Sequence, residues 1–521
     1  FFIMFPLYTV AIIIQTQLLI NWLKIYSLKI MEKDRIDFVG QILDNVHGFI
    51  PYTAAEKKII DTQLFKRLQS IKQLSVVNWI FPGSEHTRFI HSLGVMHIAD
   101  KMAISLGLSI KERKILRLAG LLHDIGHYPL SHVCEAPYKK PMTLEELPDS
   151  DFCCHLNQQI REKIESFSIK PKTILMSKSI ECHHEAIGAL VIRSNKEIRK
   201  IIIEECENEY APDIIADIIT GNVERAETDP LLVQIIHSEL DADGIDYLMR
   251  DATFSGTSFG SFEIDQLIRC LTCGEQDDKR ILCITPKGIA AADQYLINKF
   301  FSFSQVVFNK HITISEWIAE CVIDWMQKHH AVFPSSSKLE EWIKTGNIEY
   351  LNFADNMFWL ALNQILNNQL CDLVPHYIKV FCKNLLLHNE PIFIKGSEVR
   401  FIESDTEKAR SLLKESDIYT QDELLDKRIT ILNDRCMTKQ VPIDVFCSAL
   451  EKMNASENGR VFSDDDIANA KLSRLMECVS IKENDGSIHL LCDDKRSLMR
   501  TMYNSTLVIM RSYEFPKDAQ L

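Results

Sequence analysis

Apolar residues recur at helical spacing along most of the chain from residue 31 to about 270. Ile60, Leu64, Leu68 and Ile71 follow this period and predict a helix over 59–74. The same spacing predicts further helices over 89–106, 113–125, 157–166, 185–192 and 212–220. The 113–125 segment is almost entirely apolar towards its end, which indicates a buried helix. Pro129 is expected to limit the helix that carries His127.

A short hairpin interrupts the helical pattern after residue 270, and the pattern becomes mixed beyond about 330. Two apolar runs with a polar turn between them predict a hairpin over 270–285, and long helical stretches follow over 290–329. Helix-like segments at 357–371, 374–388 and 406–414 then alternate with strand-like ones at 391–402 and 428–433. Asn484-Asp485-Gly486 between two apolar runs predicts a second hairpin. We therefore expect a helical unit over 31–330 and a mixed α/β accessory unit over 331–521.

Two segments are set apart from this fold. Residues 136–157 are polar and contain three prolines, which favours an exposed loop. Residues 1–22 carry no charge, but Gln15, Gln17 and Asn21 interrupt the apolar run. We interpret 1–30 as sequence upstream of Met31 that is not part of the fold, and a membrane anchor is the alternative.

Composition narrows the function classes. The 521 residues are 46% hydrophobic, with only 18 Gly and 16 Pro, which favours a mainly α fold over a many-stranded one. The net charge of −14 and the lack of a dense basic block argue against a dedicated duplex-DNA binder. The fifteen cysteines show no framework spacing, and the single C-x-x-C at Cys270 and Cys273 is more simply explained by reduced core thiols than by zinc. We expect a cytoplasmic protein.

The stretch 118–127 carries the strongest chemical signal. Its apolar run ends in His123, Asp124 and His127, and unpaired polar groups of this kind cost about 2–7 kcal/mol each to bury. A divalent metal would compensate that cost, because imidazole nitrogen and carboxylate oxygen are natural ligands. His91 and Asp243 lie at further positions that could complete the set. The sequence therefore predicts a metal-assisted hydrolytic site.

Several long motifs resemble one family of enzymes. They lie at 71–74, 81–95, 121–132 and 241–251, and the similarity runs from about 40 to 315. Their His…His-Asp…Asp order is similar to that of HD-domain phosphohydrolases, and the detail resembles the SAMHD1-like deoxynucleoside triphosphate triphosphohydrolases. The resemblance implies an HD-domain helical bundle with a smaller mixed α/β C-terminal region. It also implies the release of deoxynucleoside and triphosphate from a deoxynucleoside triphosphate (dNTP).

The resemblance assigns roles by position. It implies a divalent metal, with Mn, Mg, Fe and Zn all open, held by His91, His123, Asp124 and Asp243. It implies catalytic or supporting roles for His127, His132, Glu135 and His184, with His132 as the general acid. It implies substrate contacts for Gln73, Leu74, Arg88, Tyr247, Asp251, Lys299 and Lys310. Gln73 and Leu74 would contact the deoxyribose, and the cations would contact the phosphates.

Departures and alternatives remain. Gly244 stands where close relatives place a lysine, and Val307 and Asn309 stand where they place an aromatic residue and a histidine, so no base is preferred. Other readings are an HD phosphohydrolase for another nucleotide phosphoester, or a non-catalytic nucleotide or nucleic-acid sensor. The resemblance further implies a homodimer or homotetramer. Nucleic acid is not indicated as a partner, and a membrane is expected only if 1–22 is an anchor.

Overall fold

The computed structural model describes residues 35–138, 183–225, 227–329, 332–367, 374–396, 399–403, 429–436, 438, 474–503 and 505–515. Helices dominate these ranges, which confirms the mainly α prediction. No helix in the described ranges combines the length and the apolar character that a membrane span requires. The N-terminal stretch 1–30, the predicted helices 157–166 and 406–414, and most of the predicted loop 136–157 lie outside the described residues.

The helices before residue 270 mostly follow the apolar pattern. Their bounds are Ala54–Asp61, Gln63–Lys66, Arg88–Ser105, Ile110–Leu122, His132–Tyr138, His184–Ser194, Lys196–Cys206, Ala211–Thr220, Pro230–Ile236, Ala242–Ser255 and Ile264–Arg269. The later helices are Ile289–Ser302, Lys310–Lys328, Ser336–Thr345, Ile348–Asn352, Asp355–Leu366, His376–Leu387 and Met499–Met502. A short π-helical turn, Phe303–Val307, separates the first two of these later helices.

Two helix predictions and one loop prediction need correction. The predicted helix 59–74 is interrupted at Thr62, which is extended and uses its hydroxyl to accept a hydrogen bond from the backbone of Phe65. The helix predicted over 113–125 ends at Leu122, so His123 and His127 do not share a helical face. The first residues of the predicted loop, 136–138, belong to the helix His132–Tyr138 and are largely buried.

In the described residues, three small sheets accompany the helices. Strands β1 (Phe38–Asp44) and β2 (Gly48–Thr53) form an antiparallel hairpin. Strands β3 (Leu271–Gln276) and β4 (Lys279–Ile284) form the hairpin predicted over 270–285, and β8 (Ser480–Lys482) and β9 (Ile488–Leu490) form the one predicted around 484–486. Strands β5 (Ile392–Phe393), β6 (Val399–Glu403) and β7 (Ile429–Cys436) all pair with β10 (Thr506–Glu514).

The first hairpin was not predicted. Pro51 within β2 weakens the strand signal, because proline cannot donate to a ladder. The turn is nevertheless well specified: the Asp44 carboxylate accepts hydrogen bonds from the backbone of Val46 and His47, and Gly48 adopts a φ of 71°. This hairpin brings Asp44 and His47 to the helices that carry the predicted metal ligands.

Residues on both sides of position 330 pack together. Strand β4 pairs in parallel with β8, placing Cys283 opposite Ser480. One hydrophobic core includes Leu122 from the N-terminal part and Phe358 from the C-terminal part. The boundary at 330 stays a prediction, but residues beyond it lie against the helices that carry the site.

Candidate metal and phosphohydrolase site

The structure brings the four predicted metal ligands together. His91 lies in the first turn of Arg88–Ser105, His123 follows Ile110–Leu122, and Asp243 lies in the first turn of Ala242–Ser255. The Nε2 atom of His91 is 3.3 Å from Nε2 of His123 and 3.0 Å from Oδ1 of Asp243. Asp124 Oδ1 lies 3.4 Å from Nε2 of His123. Residues from three distant parts of the sequence therefore share one small volume.

The orientation of both imidazoles fits a cation. His91 Nδ1 lies 2.7 Å from Oδ2 of Asp246, and His123 Nδ1 lies 2.8 Å from the carbonyl oxygen of Gly120. Since these oxygens only accept, both Nδ1 atoms donate, and in the neutral imidazole the Nε2 lone pair is left as a ligand. Two such Nε2 atoms facing each other beside two carboxylates form a donor set suited to a divalent metal.

Electrostatics favours positive charge at the same point. Burial alone would lower the pKa of His91, but hydrogen bonds to Asp243 and Asp246 outweigh it and raise the pKa to about 10. Burial raises the pKa of the Asp243 carboxyl, yet His91 and His123 bring it below its usual value. The cluster thus stabilises a cation, whether a proton or a metal ion.

Arg88 forms an ion pair with Asp124, one of the four predicted metal ligands. Its Nη1 donates to Oδ2 of Asp124 at 2.9 Å, and its Nε donates to the hydroxyl of Ser131 at 3.0 Å. Burial would raise the pKa of Asp124, but the guanidinium of Arg88 contributes most to holding it well below the usual range. Arg88 is buried together with Asp124, and its contact with the phosphates stays a prediction.

A second group of histidines adjoins the first around Glu135. The Glu135 carboxylate contacts His132 Nδ1 through Oε2 at 2.8 Å and His184 Nδ1 through Oε1 at 3.2 Å. Glu135 also accepts from the backbone of His184 at 2.9 Å. The side chain of His132 is 64% exposed, whereas that of Glu135 is fully buried. Glu135 therefore fixes two imidazoles at once and leaves His132 open to solvent.

His127 lies in the turn between the two groups. Its Nδ1 accepts from the backbone of Tyr128 at 3.1 Å, and its ring stacks on that of His184 with centroids 4.2 Å apart. Its Nε2 lies 4.0 Å from Oδ1 of Asp124. Burial, followed by the charge of Arg88, lowers the pKa of His127 well below its usual value, so this ring is neutral. Burial would also lower the pKa of His184, but Glu185 and Glu135 raise it to about 9.

The predicted sugar contacts lie partly at this site. The carbonyl oxygen of Gln73 is 3.4 Å from Nη2 of Arg88, and its side-chain Oε1 is buried without a hydrogen-bond partner. Leu74 follows it and is half-buried. Asp251 contacts Nε2 of His86 at 2.8 Å. Gln73 therefore contacts Arg88 through its backbone, and its side-chain Oε1 is left as an unpaired acceptor.

The two predicted phosphate-binding lysines differ in their surroundings. Lys299 Nζ donates to the carbonyl oxygen of Glu239 at 3.3 Å and lies 5.7 Å from the ring centroid of Tyr247. Lys310 Nζ instead lies 4.9 Å from the ring centroid of Phe393 in β5. Lys299 thus lies near the helix that carries Asp243, whereas the contact of Lys310 is with the C-terminal sheet.

Gly244 explains one departure from the family pattern. A Cβ atom there would lie 2.1 Å from the hydroxyl of Tyr295 and 2.8 Å from Oδ1 of Asp241. A lysine at this position would therefore require Tyr295 to move. Lys299 Nζ would lie 3.4 Å from the same Cβ position, so its charge occupies this part of the site.

Sequence reasoning missed the residues that support His91. Asp246 accepts from Arg250 Nε at 2.8 Å and contacts His47 Nε2 at 2.5 Å, and Arg250 also donates to Asp44 at 2.8 Å. Asp246 follows Asp243 by three residues in the motif at 241–251, so its position one helical turn from a predicted ligand could have marked it as a supporting residue. The sequence carried no such signal for Asp44 and His47, because the β1–β2 hairpin that positions them was not predicted.

Comparison with known families agrees with this geometry. The sequence model of the HD domain matches residues 88–246. These bounds begin at Arg88, end at Asp246 and enclose all four predicted metal ligands.

Individual relatives are more distant. An uncharacterized protein of Methanocaldococcus jannaschii is 27% identical over 316 residues, which cover 60% of this chain and 55% of the relative. The deoxynucleoside triphosphate triphosphohydrolase SAMHD1 of Homo sapiens is 28% identical over 265 residues, which cover 49% of this chain and 39% of SAMHD1. The chain spans less than two thirds of the length of either relative.

Solved structures share the fold over a longer range. A hypothetical protein from Aquifex aeolicus superposes with a TM-score of 0.58 at 20% identity, covering 90% of this chain and 95% of that one. The domain match, the partial SAMHD1 similarity and the His and Asp cluster agree with one another. Residues 88–246 of the chain match the HD domain, and part of the chain is similar to SAMHD1 enzymes.

Proposed function

We propose that this protein is a metal-dependent phosphohydrolase that cleaves dNTPs to deoxynucleoside and triphosphate. The observation that carries the proposal is the facing pair of imidazoles, with Nε2 atoms 3.3 Å apart between two carboxylates. The HD-domain match supports the hydrolytic class. The partial similarity to enzymes named deoxynucleoside triphosphate triphosphohydrolases supports the substrate.

His91, His123, Asp124 and Asp243 would hold the metal. A divalent ion at this point supplies Lewis-acid polarisation of a phosphoryl oxygen and lowers the pKa of a bound water. Asp246 and the Gly120 carbonyl keep the two imidazoles in the tautomer that exposes Nε2. Asp124 has a further task, because it also positions the guanidinium of Arg88 beside the phosphates.

In the proposed reaction, water attacks the α-phosphorus and the bond from phosphorus to the 5′ oxygen breaks. The departing oxygen needs a proton, and an exposed histidine paired with a carboxylate suits this role. His132 would donate Nδ1–H to Glu135 and, in its protonated form, carry on Nε2 the proton for the departing oxygen. Desolvation outweighs Glu135 and lowers the pKa of His132, which favours release of this proton. Glu135 also contacts the backbone N–H and Nδ1 of His184, and these contacts hold the carboxylate that orients His132. His127 packs against His184 and keeps this pair in place.

Substrate selection is assigned to the neighbouring surface. Gln73 would bond the 3′-hydroxyl, and Leu74 would place apolar bulk where a ribonucleotide has its 2′-hydroxyl. An unpaired hydroxyl there costs about 1–3 kcal/mol. Tyr247 and Asp251 are assigned to the sugar, and Lys299 and Lys310 to the phosphates. The contact of Lys310 with Phe393 makes it the assignment with the least geometric support.

The wider setting follows from the same proposal. We propose a homodimer or homotetramer and a cytoplasmic location, and a nucleotide is the only partner that the site requires. The principal alternative is hydrolysis of another nucleotide phosphoester by the same residues. A sensor without catalysis is disfavoured because all four ligand positions are retained, with His91, His123 and Asp124 clustered and Asp243 in contact with His91.

The test is a product analysis. The purified chain is incubated with each of four dNTPs and four ribonucleoside triphosphates, with Mn²⁺, Mg²⁺, Fe²⁺ or Zn²⁺ supplied. The proposal expects deoxynucleoside and inorganic triphosphate, in equal amounts, from deoxynucleotides. Release of monophosphate or diphosphate from the same substrates would favour the alternative phosphoester, and no turnover with any metal would refute both.

A further inference from the structure

Asp355 connects the C-terminal part of the chain to the proposed active site. It is the first residue of the helix Asp355–Leu366 and lies outside the HD-domain match at 88–246. Its carboxylate is buried and accepts two backbone hydrogen bonds from distant segments. Oδ2 accepts from the N–H of Lys72 at 3.0 Å, and Oδ1 accepts from the N–H of Leu130 at 2.7 Å.

The segment that contains Leu130 needs support from outside. Leu130 and Ser131 both adopt left-handed backbone conformations, with φ of 53° and 54°. Residues other than glycine avoid this region, and consecutive examples persist only where neighbouring groups hold them. His132 follows directly, so the conformation of this turn decides where its imidazole lies.

The segment that contains Lys72 leads to the residues proposed to contact the sugar. Lys72 precedes Gln73 and Leu74, and its carbonyl oxygen accepts from the Ser131 hydroxyl at 2.7 Å. The same hydroxyl accepts from Nε of Arg88. Asp355, Ser131 and Lys72 therefore form one network that joins the turn before His132 to the segment before Gln73.

A neighbouring contact supports the same turn at its other end. The carbonyl oxygen of Ile125 accepts from Nη2 of Arg67 at 2.8 Å and from the hydroxyl of Tyr350 at 3.3 Å. Arg67 Nη1 also donates to the carbonyl oxygen of Phe353 at 2.6 Å. The segment 350–355 thus contacts the loop 123–132 at two points, one near the metal ligands and one near His132.

We infer that Asp355 is a positioning residue, which sets the geometry of the turn before His132 relative to the segment that carries Gln73 and Leu74. A carboxylate is required because two N–H groups must each find an acceptor oxygen, and an amide offers one oxygen and a donor. The inference rests on the proposed function for its catalytic consequence. The structural consequence, loosening of both segments together, does not depend on the substrate.

The experiment compares Asp355→Asn with Asp293→Asn in the full chain. Asp293 is a matched control, because its buried carboxylate also accepts two hydrogen bonds, from the Ser497 hydroxyl at 2.6 Å and the Leu498 N–H at 2.9 Å. Hydrogen–deuterium exchange, kcat and Mn²⁺ affinity are measured for both. Asp355→Asn should raise exchange at 70–76 and 128–134 and lower kcat about 10- to 100-fold, with Mn²⁺ affinity unchanged. Asp293→Asn should raise exchange near 497–502 and leave kcat unchanged.

Several results would overturn the inference. These are unchanged exchange at 70–76 and 128–134 in Asp355→Asn, an unchanged kcat, or an equal loss of kcat in Asp293→Asn. If Asp355→Asn does not fold, Asp355→Glu retains both oxygens and is compared with Asp293→Glu by the same measures. If the wild type hydrolyses no nucleotide, the proposed function fails, and exchange at the two segments still decides whether Asp355 holds them.

Discussion

Two of the clusters of histidine and carboxylate in the described residues differ in how a neighbouring arginine contacts them. The first contains His91, His123 and Asp124, with Asp243 beside them. The second contains Glu483, His489 and Asp494 around the β8–β9 hairpin. In each, one ligand atom from each of three residues lies within 4.8 Å of the others. Residue types and spacing alone do not separate them.

The surroundings of the ligand atoms do separate them. In the second cluster the guanidinium of Arg496 already contacts both Asp494 and Glu483, and His489 Nε2 lies 3.0 Å from Asp494. In this cluster the half-exposed side chain of Arg496 already supplies a positive charge to the carboxylates. In the first cluster Arg88 donates to one carboxylate oxygen, Oδ2 of Asp124, and the Nε2 atoms of His91 and His123 lie 3.3 Å apart. We therefore expect a metal ion at the first cluster, because Arg88 contacts only one of its carboxylates, whereas Arg496 contacts both carboxylates of the second.

The largest expected effect comes from removing one imidazole of the first cluster. His123→Gln should lower both metal affinity and hydrolysis by more than about 100-fold, because the loss of a direct ligand exceeds the loss of a supporting residue. Mn²⁺ titration and product assays measure the two effects. His489→Gln is the matched control in the second cluster and should leave both unchanged; an equal loss there would erase the distinction between the clusters.

Removing the carboxylate of Asp124 should also destabilise the fold. Asp124→Ala leaves the buried guanidinium of Arg88 without its anion, and breaking such a buried pair costs about 3–5 kcal/mol. Chemical denaturation measures this loss. For that reason His123→Gln is the cleaner catalytic variant, and unaltered stability of Asp124→Ala would show that Arg88 finds another partner.

A smaller effect is expected from the residue that supports His91. Asp246→Asn removes the negative charge behind the imidazole and should weaken Mn²⁺ binding about 10- to 100-fold. Isothermal titration of the metal measures it. Asp494→Asn serves as the comparison, since Asp494 lies behind no proposed ligand of the first cluster; a weakened Mn²⁺ affinity in this variant would contradict the assignment.

The smallest effect is expected from the second cluster's own cation. Arg496→Gln should add a weak second Mn²⁺ site at Glu483, His489 and Asp494, because it frees their donor atoms, and should leave the unfolding temperature nearly unchanged, because ion pairs of exposed side chains contribute little to stability. A metal-binding stoichiometry by equilibrium dialysis measures it. A second tight site in the wild type would show that Arg496 does not occupy the donor set.

The sequence predicted the ligands better than their surroundings. His123 and Asp124 stood out because an apolar helix ends in charged groups. His91 and Asp243 were further candidates, and the family resemblance assigned them the same role. The helix end at Leu122 was not predictable from apolar spacing, because the apolar residues continue through Ile125 while the backbone turns. Asp355 carried no signal either. Its two acceptor contacts join segments 283 and 225 residues away, and only the folded chain brings these together.

The central claim is that His91, His123, Asp124 and Asp243 share one divalent ion, and anomalous diffraction from crystals grown with Mn²⁺ tests it most directly. The account predicts one strong peak per chain, about 2.0–2.3 Å from the Nε2 atoms of His91 and His123 and from a carboxylate oxygen of each aspartate. A peak at Glu483, His489 and Asp494 instead, or no peak between the two imidazoles at saturating Mn²⁺, would contradict it.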